Sequence, residues 1–465
     1  MDKFMQNLER GSWSVATTVR APAYQVNEFL EHYVGLGADK VYLFFDDKEF
    51  CTYDVARFAG KVISFVCDDR YWETVHCAPP LNDRVGRPAA VERRQGVNAL
   101  FAREIMHSEW LLHVDVDEFI YVKKPVSEVL AVYPDNVFSV LLRTLEAVYE
   151  EVKLPGEETQ TVYFKKAVHQ SELLKKLYPD ELLKCATNGL WGTVIGKSFV
   201  RKHPEIKSMS VHWPTPVDQT LITNVPTYYI DLLHFEGQSY ELFKEKFMLR
   251  VYKKVAKHMP YTYTVRLELC KREYDARGEA GLLDVYRRFY VMPPDMLIQA
   301  LELGVVVKLE WALGKVSEYK LLINNPIFDS GARLSNWGGT LLKSFHNTYV
   351  VYDAGDRRVK SATAVDVLNR GHIHPVEIEV LGTKARLFVR FHGDILQLVW
   401  HEGQLQAVES AQQPAVDVLQ VRENIFLSFQ GKYLSVSPNR EVTADRGRAS
   451  TWESFTMKEV YPQIT

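Results

Sequence analysis

The 465-residue sequence has few cysteines: five, at Cys51, Cys67, Cys77, Cys185 and Cys270. They are odd in number, widely spaced and contain no CxxC, which argues against a disulfide framework and against a thiolate zinc site, and fits a reducing compartment. No apolar run approaches the ~18 residues of a membrane-spanning helix, and the first residues lack the basic-then-apolar pattern of a secretory leader. The expectation is a cytoplasmic protein without a transmembrane segment, with peripheral attachment to a membrane left open. Excess charge of either sign is also lacking: 56 Lys+Arg against 59 Asp+Glu gives a net charge of -3. That balance provides no global attraction to nucleic acid, and no nucleic-acid partner is expected.

What is present is an ordinary globular composition, 46% hydrophobic and 25% charged, on a chain long enough for several domains. Between residues 13 and 120, short apolar runs alternate with helical spacing. Trp13–Val19 reads as a strand. Val26, Phe29, Leu30, Tyr33 and Val34 fall on one helix face. Val41–Phe45 and Val62–Val66 read as strands ending in Asp46-Asp47 and near Asp68-Asp69. Val97, Leu100, Phe101 and Ile105 mark a second helix, and Trp110–Val114 a further strand running into Asp115-Val116-Asp117-Glu118. This order predicts an α/β, Rossmann-like domain with a mainly parallel sheet, and polar residues gather after its strands, where open α/β sheets bind ligands.

Residues 239–320 are rich in helix formers and charge and read as a helical region closing the first domain and leading into a linker. Beyond Gly331 the pattern changes to short alternating runs with turn residues. A repeat emerges around Leu341–Asn347, Leu387–Gly393 and Ile425–Gly431, each an alternating strand, a Phe, a polar turn and a second strand. The Phe-to-Phe spacings are 46 and 38. Three hairpin-rich units of that size predict a threefold all-β module.

Asp115 and Asp117 carry the most chemical information. On an extended chain, alternate residues share a side. Two carboxylates there repel each other, and a divalent cation resolves the repulsion by binding both. The competing reading of a bare D-x-D is an acidic turn capping a strand end.

The motif does not stand alone. Glu28–Leu43, with His32-Tyr33-Val34-Gly35-Leu36-Gly37-Ala38 at its centre, resembles the opening of bacterial glycosyltransferase family 2-like proteins. Trp110–Phe119 resembles their metal motif, and Lys197–Arg201, His212-Trp213-Pro214, Leu233-His234-Phe235, Ser239–Lys246 and Arg250 resemble their later motifs in order. The likeness spans residues 13–255. It implies a GT-A catalytic domain (residues 1–255), a nucleotide-sugar donor, a glycan or other acceptor, and a divalent metal, Mn²⁺, with Asp115, Asp117 and His234 as ligands. Two oxygens and a nitrogen suit Mn²⁺ better than Mg²⁺. The last repeat, Gly431–Ser435 through Val442-Thr443-Ala444 to Trp452–Phe455, resembles a fascin-like β-trefoil, assigned to residues 329–465 after a helical extension at 256–328. A trefoil there implies a glycan or protein partner.

Other residues take candidate roles. Arg20 follows the first strand, at the nucleotide edge. Asp68 or Asp69 could accept the N3–H of uracil, which would make the donor a UDP-sugar, and Asp46 or Asp47 serve a ribose or structural role. Arg93, Arg94, Gln95 and Asn98 begin the helix before the metal motif and suit a phosphate or base contact. Lys197, Lys246 and Arg250 are candidates for the diphosphate, Asp115 for donor as well as metal, and His212 for an alternate ligand. Glu118 is assigned to support of the metal shell. An inverting transfer needs a carboxylate base, and Glu146 and Asp218 are the candidates. Trp191, in the loop Asn188–Gly192, could stack on an acceptor sugar or belong to the core. The family's usual Trp and Phe-Gly-Ser loop is replaced here by Leu142–Tyr149. The alternative to an enzyme is a non-catalytic carbohydrate- or protein-binding protein on a degenerate transferase scaffold. A nucleotidyltransferase ranks below both, because the Gly-rich, Lys-containing loop such enzymes use is missing.

Overall fold

The computed structural model describes residues 8–76, 86–157, 159–168, 171–204, 206–212, 214–216, 222–252, 261–317, 339–346, 348–362, 372–381, 383–391, 394–401, 404–408, 416–421, 424–437, 439 and 441–460. The chain forms two compact units. One comprises residues 1–132, 141–217 and 227–321; the other comprises 133–140, 218–226 and 322–465.

The first unit is α/β. Its sheet runs in the order Val306–Lys308, Tyr163–Lys166, Ser139–Val148, Lys197–Arg201, Trp110–His113, Trp13–Val19, Val41–Phe45, Val62–Val66. Trp13–Val19 pairs in parallel with both Val41–Phe45 and Trp110–His113, and Val41–Phe45 pairs in parallel with Val62–Val66. Every residue of Val41–Phe45 is buried, as a parallel strand covered on both faces requires. The expectation of a mainly parallel sheet needs correction. Beyond Trp110–His113 the pairing turns antiparallel: Lys197–Arg201 runs against Trp110–His113, and Tyr163–Lys166 against both Ser139–Val148 and Val306–Lys308. The sheet is therefore mixed. The strands after the acidic motif pair antiparallel with their neighbours, so the βαβ rhythm that marks residues 13–114 stops there.

The helices Tyr261–Arg277, Glu279–Tyr290 and Pro294–Glu302 belong to the same core as the sheet. Leu269, Leu282, Val285, Phe289 and Leu297 pack in one cluster with Phe119, Leu145, Phe164, Trp191 and Phe235. Among the described residues, no helix is long and apolar enough to cross a membrane.

The second unit is all β. Gly339–Ser344, Glu377–Leu381, Lys384–Phe391, Val416–Val421, Asn424–Phe429 and Phe455–Val460 pair in a ring that closes between the last of these and the first. The three hairpins expected from the repeat all form. Tyr349–Asp353 hangs from Gly339–Ser344, Asp394–His401 from Lys384–Phe391, and Lys432–Val436 from Asn424–Phe429. Closure removes the exposed sheet edge. The ring is filled by Leu342, Ile378, Leu387, Ile425, Leu427 and Phe455, all buried.

Candidate functional site

Parallel strands deliver their carboxyl ends to one edge, and that edge collects Arg20, Asp46, Asp47, Asp68 and Asp115 after four successive strands. Asp115-Val116-Asp117 is not extended. The strand Trp110–His113 ends before it, and the Glu118 N–H donates to the Asp115 carbonyl at 3.0 Å, closing a turn. The shared side expected from period-2 geometry does not apply; a tight turn holds the two aspartates instead. In return the Asp115 N–H donates to the Glu118 carboxylate at 2.8 Å. The next strand, Glu118–Val122, pairs antiparallel with Val225–His234, in a register that sets His234 opposite Glu118. Pairing across more than a hundred residues thus brings His234 to the acidic turn.

The electrostatics are strong because the charged partners Lys197 and Glu118 are buried. The Lys197 ammonium is buried, 2.8 Å from Asp115 and 3.3 Å from Glu118. Burial alone would raise the Asp115 carboxyl; Lys197, His113 and His234 together hold it well below the usual carboxylate range. Burial pushes Glu118 up to about 7, against the pull of Lys197 and with the push of Asp115. Gln95 also donates to Asp115. Asp117 accepts from the Gln238 amide at 3.1 Å, with the Lys246 ammonium 3.9 Å away. His234 is buried, and its Nε2 faces the Glu236 carboxylate at 3.4 Å. Burial opposes its protonation, but Glu236, Asp117 and Glu118 raise its pKa overall.

The Nδ1 of His234 is a buried nitrogen with no hydrogen-bond partner. Leaving such a group unsatisfied is costly. Gly192 lies against it, where a Cβ would come within 2.7 Å of Nδ1, so only glycine keeps that space. An imidazole nitrogen and two carboxylates are donor types that suit a divalent cation, but Nδ1 faces Gly192. Among the described residues, however, no three His, Cys, Asp or Glu side chains converge closely enough to share an ion, and Asp115 is satisfied by Lys197 instead.

The remaining candidates fall into different settings. Asp46, rather than Asp47, is the connected member of its pair: Arg94 grips it with two bonds of 2.8 Å and Arg87 adds a third at 3.0 Å. Arg94 therefore serves a carboxylate of its own chain. Asp47 caps the short helical turn Lys48–Phe50 through the Glu49 N–H, and Asp68 caps the next helix through the Tyr71 N–H at 2.9 Å. Asp69 lies in the first turn of that helix. Asn98 is fully buried, accepting from the Tyr71 hydroxyl at 2.7 Å and donating to Thr18 at 2.9 Å. Arg20 lies over the Phe50 ring and Arg250 over the Tyr263 ring. The His212 Nδ1 meets the Gly196 carbonyl at 2.8 Å.

Glu146 and Trp191 form one buried assembly. Glu146 is 0% exposed, pairs with Lys165 at 2.8 Å, and accepts the N–H groups of Trp191 at 3.1 Å and Gly192 at 2.6 Å. Those bonds occupy the carboxylate and anchor the 188–192 loop, leaving no open face for an acceptor hydroxyl. Trp191 is 3% exposed, packs edge-on to Tyr178, lies over the Lys165 ammonium and donates to the Phe289 carbonyl. These contacts place its ring among the core side chains. Asp218, Trp213 and Cys77 lie outside the described residues.

Four residues of this region escape sequence reasoning: Lys165, Glu236, Gln238 and Arg266. Glu236 and Gln238 lie two and four positions past His234 and could have been suspected from that proximity. Lys165 and Arg266 carry no local signal. Two cavities open elsewhere in the first unit, one against Thr161, Trp311 and Leu313 and one between Arg93, Val97, Leu100 and Ser208–Val211; neither includes Asp115, Asp117 or His234.

No family model matches the chain. The curated proteins give no match either. Among solved structures, SeviL bound to asialo-GM1 saccharide overlaps 27% of this chain and 99% of its own at 11% identity and a TM-score of 0.22. A Polyporus squamosus lectin bound to a human-type influenza-binding epitope overlaps 26% of this chain and 49% of its own at 14% identity and a TM-score of 0.21. GalNAc-T7 with UDP, GalNAc and Mn²⁺ overlaps 98% of this chain and 83% of its own at 10% identity and a TM-score of 0.20. The chain is thus weakly similar in structure to a sugar transferase and to sugar-bound proteins, and identities this low say nothing about chemistry.

Proposed function

We propose that the protein is a metal-dependent glycosyltransferase of the GT-A type that moves a sugar from a nucleoside-diphosphate sugar, a UDP-sugar by preference, to a glycan or other acceptor. Residues 1–255 would form the catalytic domain, 256–328 a helical extension and 329–465 a β-trefoil that binds a glycan or protein partner. The observation that carries the reading is the gathering of Asp115 and Asp117 at the carboxyl edge of the parallel strands, with strand register setting His234 opposite Glu118.

Asp115, Asp117 and His234 would hold Mn²⁺, which when bound supplies positive charge against the diphosphate leaving group. Lys197 neutralises Asp115 and would lie near the phosphate oxygens of a donor bound at that edge. Lys246, beside Asp117, adds a second cation at the same edge, and Arg250 a third. Asp68 or Asp69 would read the base and Asp47 the ribose from the ends of the neighbouring strands. With Glu146 enclosed, Asp218 is our proposed base at the acceptor hydroxyl.

A panel of nucleotide sugars with Mn²⁺, read as donor hydrolysis, tests the proposal. One donor should turn over, and Asp117→Ala should abolish that turnover while the fold survives. Full turnover in the variant, or in excess chelator, overturns the metal role.

The Asp115–Lys197 ion pair favours a second reading. A lysine that already satisfies the acidic turn is what a non-catalytic binding protein on this scaffold would carry. Calorimetry separates the two: the transferase requires Mn²⁺-dependent nucleotide binding, and the binding protein takes a glycan or protein without any nucleotide effect.

A further inference from the structure

We infer that the cavity against Trp311 is a binding site for a single neutral sugar ring, with Trp311 as the platform and Glu150, Thr159 and Gln160 as partners for its hydroxyls. The site is separate from the acidic turn, and it stands whether or not that turn transfers a sugar.

The cavity measures about 270 Å³, and Glu150, Thr159, Gln160, Thr161, Trp311 and Leu313 are among the residues that line it. Sites that enclose drug-sized ligands run from about 300 to 1,000 Å³, so this one suits one ring rather than a chain. Its walls are already ordered. The Trp311 indole N–H donates to the Thr161 carbonyl at 2.7 Å, and the Thr161 hydroxyl donates to the Val148 carbonyl at 2.6 Å. The Leu309 N–H donates to the Val162 carbonyl at 2.8 Å. Tyr149, next to Glu150, is held on both sides: its N–H donates to the Tyr290 carbonyl at 3.0 Å, and its carbonyl accepts from the Met292 N–H at 2.8 Å. A site ordered beforehand loses little conformational freedom when a ligand arrives.

Trp311 has two settings. Its ring packs against His32, Phe119, Phe164 and Phe235. Those four are at most 2% exposed, whereas Trp311 is part-exposed and lines the cavity. It is the ring of this group that reaches the surface.

The polar lining selects the class of ligand. A sugar ring has an apolar C–H face that packs on an indole, and a rim of hydroxyls that donate and accept. The Gln160 amide offers donors and an acceptor, and the Glu150 carboxylate accepts. Both residues are exposed, and among the described residues their side chains have no hydrogen-bond partner. The Thr159 hydroxyl donates to Glu28 at 3.4 Å, which leaves its lone pairs to accept. Among the described residues no Lys or Arg lines the cavity, so nothing there answers a phosphate. Trp311 is also the one aromatic ring in the lining, too few for the cage that holds a quaternary ammonium.

The test is fluorine NMR of the full chain labelled with 5-fluorotryptophan. Of the nine tryptophan signals, that of Trp311 is the one lost in Trp311→Phe, or in Trp311→Tyr if the first variant does not fold. Glucose, galactose, N-acetylglucosamine and N-acetylgalactosamine are each titrated into the millimolar range. One of them should move the Trp311 signal saturably. Glu150→Ala combined with Gln160→Ala, both at exposed positions, should leave the melting temperature unchanged and weaken that sugar about tenfold, as the loss of one or two hydrogen bonds does. A Trp311 signal that no sugar moves overturns the site, and so does a titration that the double variant leaves unchanged. A sugar that moves other tryptophan signals alone binds elsewhere and overturns it as well. Donor hydrolysis with Mn²⁺ is read separately, so failure here leaves the transferase reading untouched.

Discussion

The two units bury polar groups in opposite ways. The first encloses full charges in its interior: Lys165 with Glu146, Lys197 with Glu118, and Arg266 with Glu236. The second fills its ring with apolar side chains, and its buried acids Asp353 and Glu377 pair with Lys360 and Arg390, which lie 41% and 55% exposed. Burying an ion pair is a poor route to stability, since desolvation cancels most of the attraction. Closing a ring over leucine, isoleucine and valine is a good one. The difference teaches that the first unit gives up stability to hold charged groups in place, and the second does not.

The contrast is sharpest if single partners are removed. Lys165→Met leaves Glu146 charged and enclosed, and should cost about 3–5 kcal/mol, seen as an early urea transition of the first unit. Leu427→Ala, at a position with no exposure, should cost the second unit about 2–5 kcal/mol through cavity formation, with hydrogen-exchange protection lost in the ring strands. If Lys165→Met costs under about 1 kcal/mol, the Lys165–Glu146 pair does not constrain the first unit.

Acidity offers a subtler break. In the first unit burial lowers His32 to about 3 and His113 to about 4. Their contribution is complete above the unfolded histidine value of about 6.5 and is lost as pH falls toward the folded values. Glu118, raised to about 7, acts the other way. His212 is lowered by burial as well, and the three histidines outweigh the one glutamic acid, so stability falls on acidification between about pH 5 and 6.5. In the second unit Glu453 is the reverse case: burial pushes it up to about 7, and the backbone hydrogen bond and Arg446 offset only part. Its contribution is complete below about pH 4.5 and is lost as pH rises through 7. Over the same window the second unit should therefore gain about 1.4 kcal/mol per unit of acidification. Protection factors measured by unit at several pH values should diverge, and Glu453→Gln should flatten the second slope. Parallel slopes would remove this distinction.

The smallest expected effect is at Asp68. Asn caps a helix as well as Asp, so Asp68→Asn should change stability by less than about 0.5 kcal/mol. If Asp68 reads the base, the same variant should shift discrimination among nucleotide donors. Unchanged donor preference would return Asp68 to capping alone.

Much of the fold was legible from periodicity. The strands Trp13–Val19, Val41–Phe45 and Val62–Val66, and the three hairpins, follow from apolar patterns a few residues long. The antiparallel half of the first sheet was not legible, because pairing direction depends on how distant strands meet. The same divide runs through the site. The carboxylates after the strands are visible as local motifs, whereas the enclosure of Glu146 and Trp191 is not, because a polar residue looks alike in sequence whether it faces solvent or a buried lysine.

By itself the sequence determined where strands and helices begin, the threefold hairpin pattern, and the placing of acidic residues at strand ends, since each depends on neighbours along the chain. Tertiary structure alone decided that Gln238 reaches Asp117 across 121 residues, that His234 lies opposite Glu118, and that Lys165 meets Glu146 in a dry interior. Those meetings depend on strand register and loop closure, and register is a property of the assembled sheet rather than of any one segment.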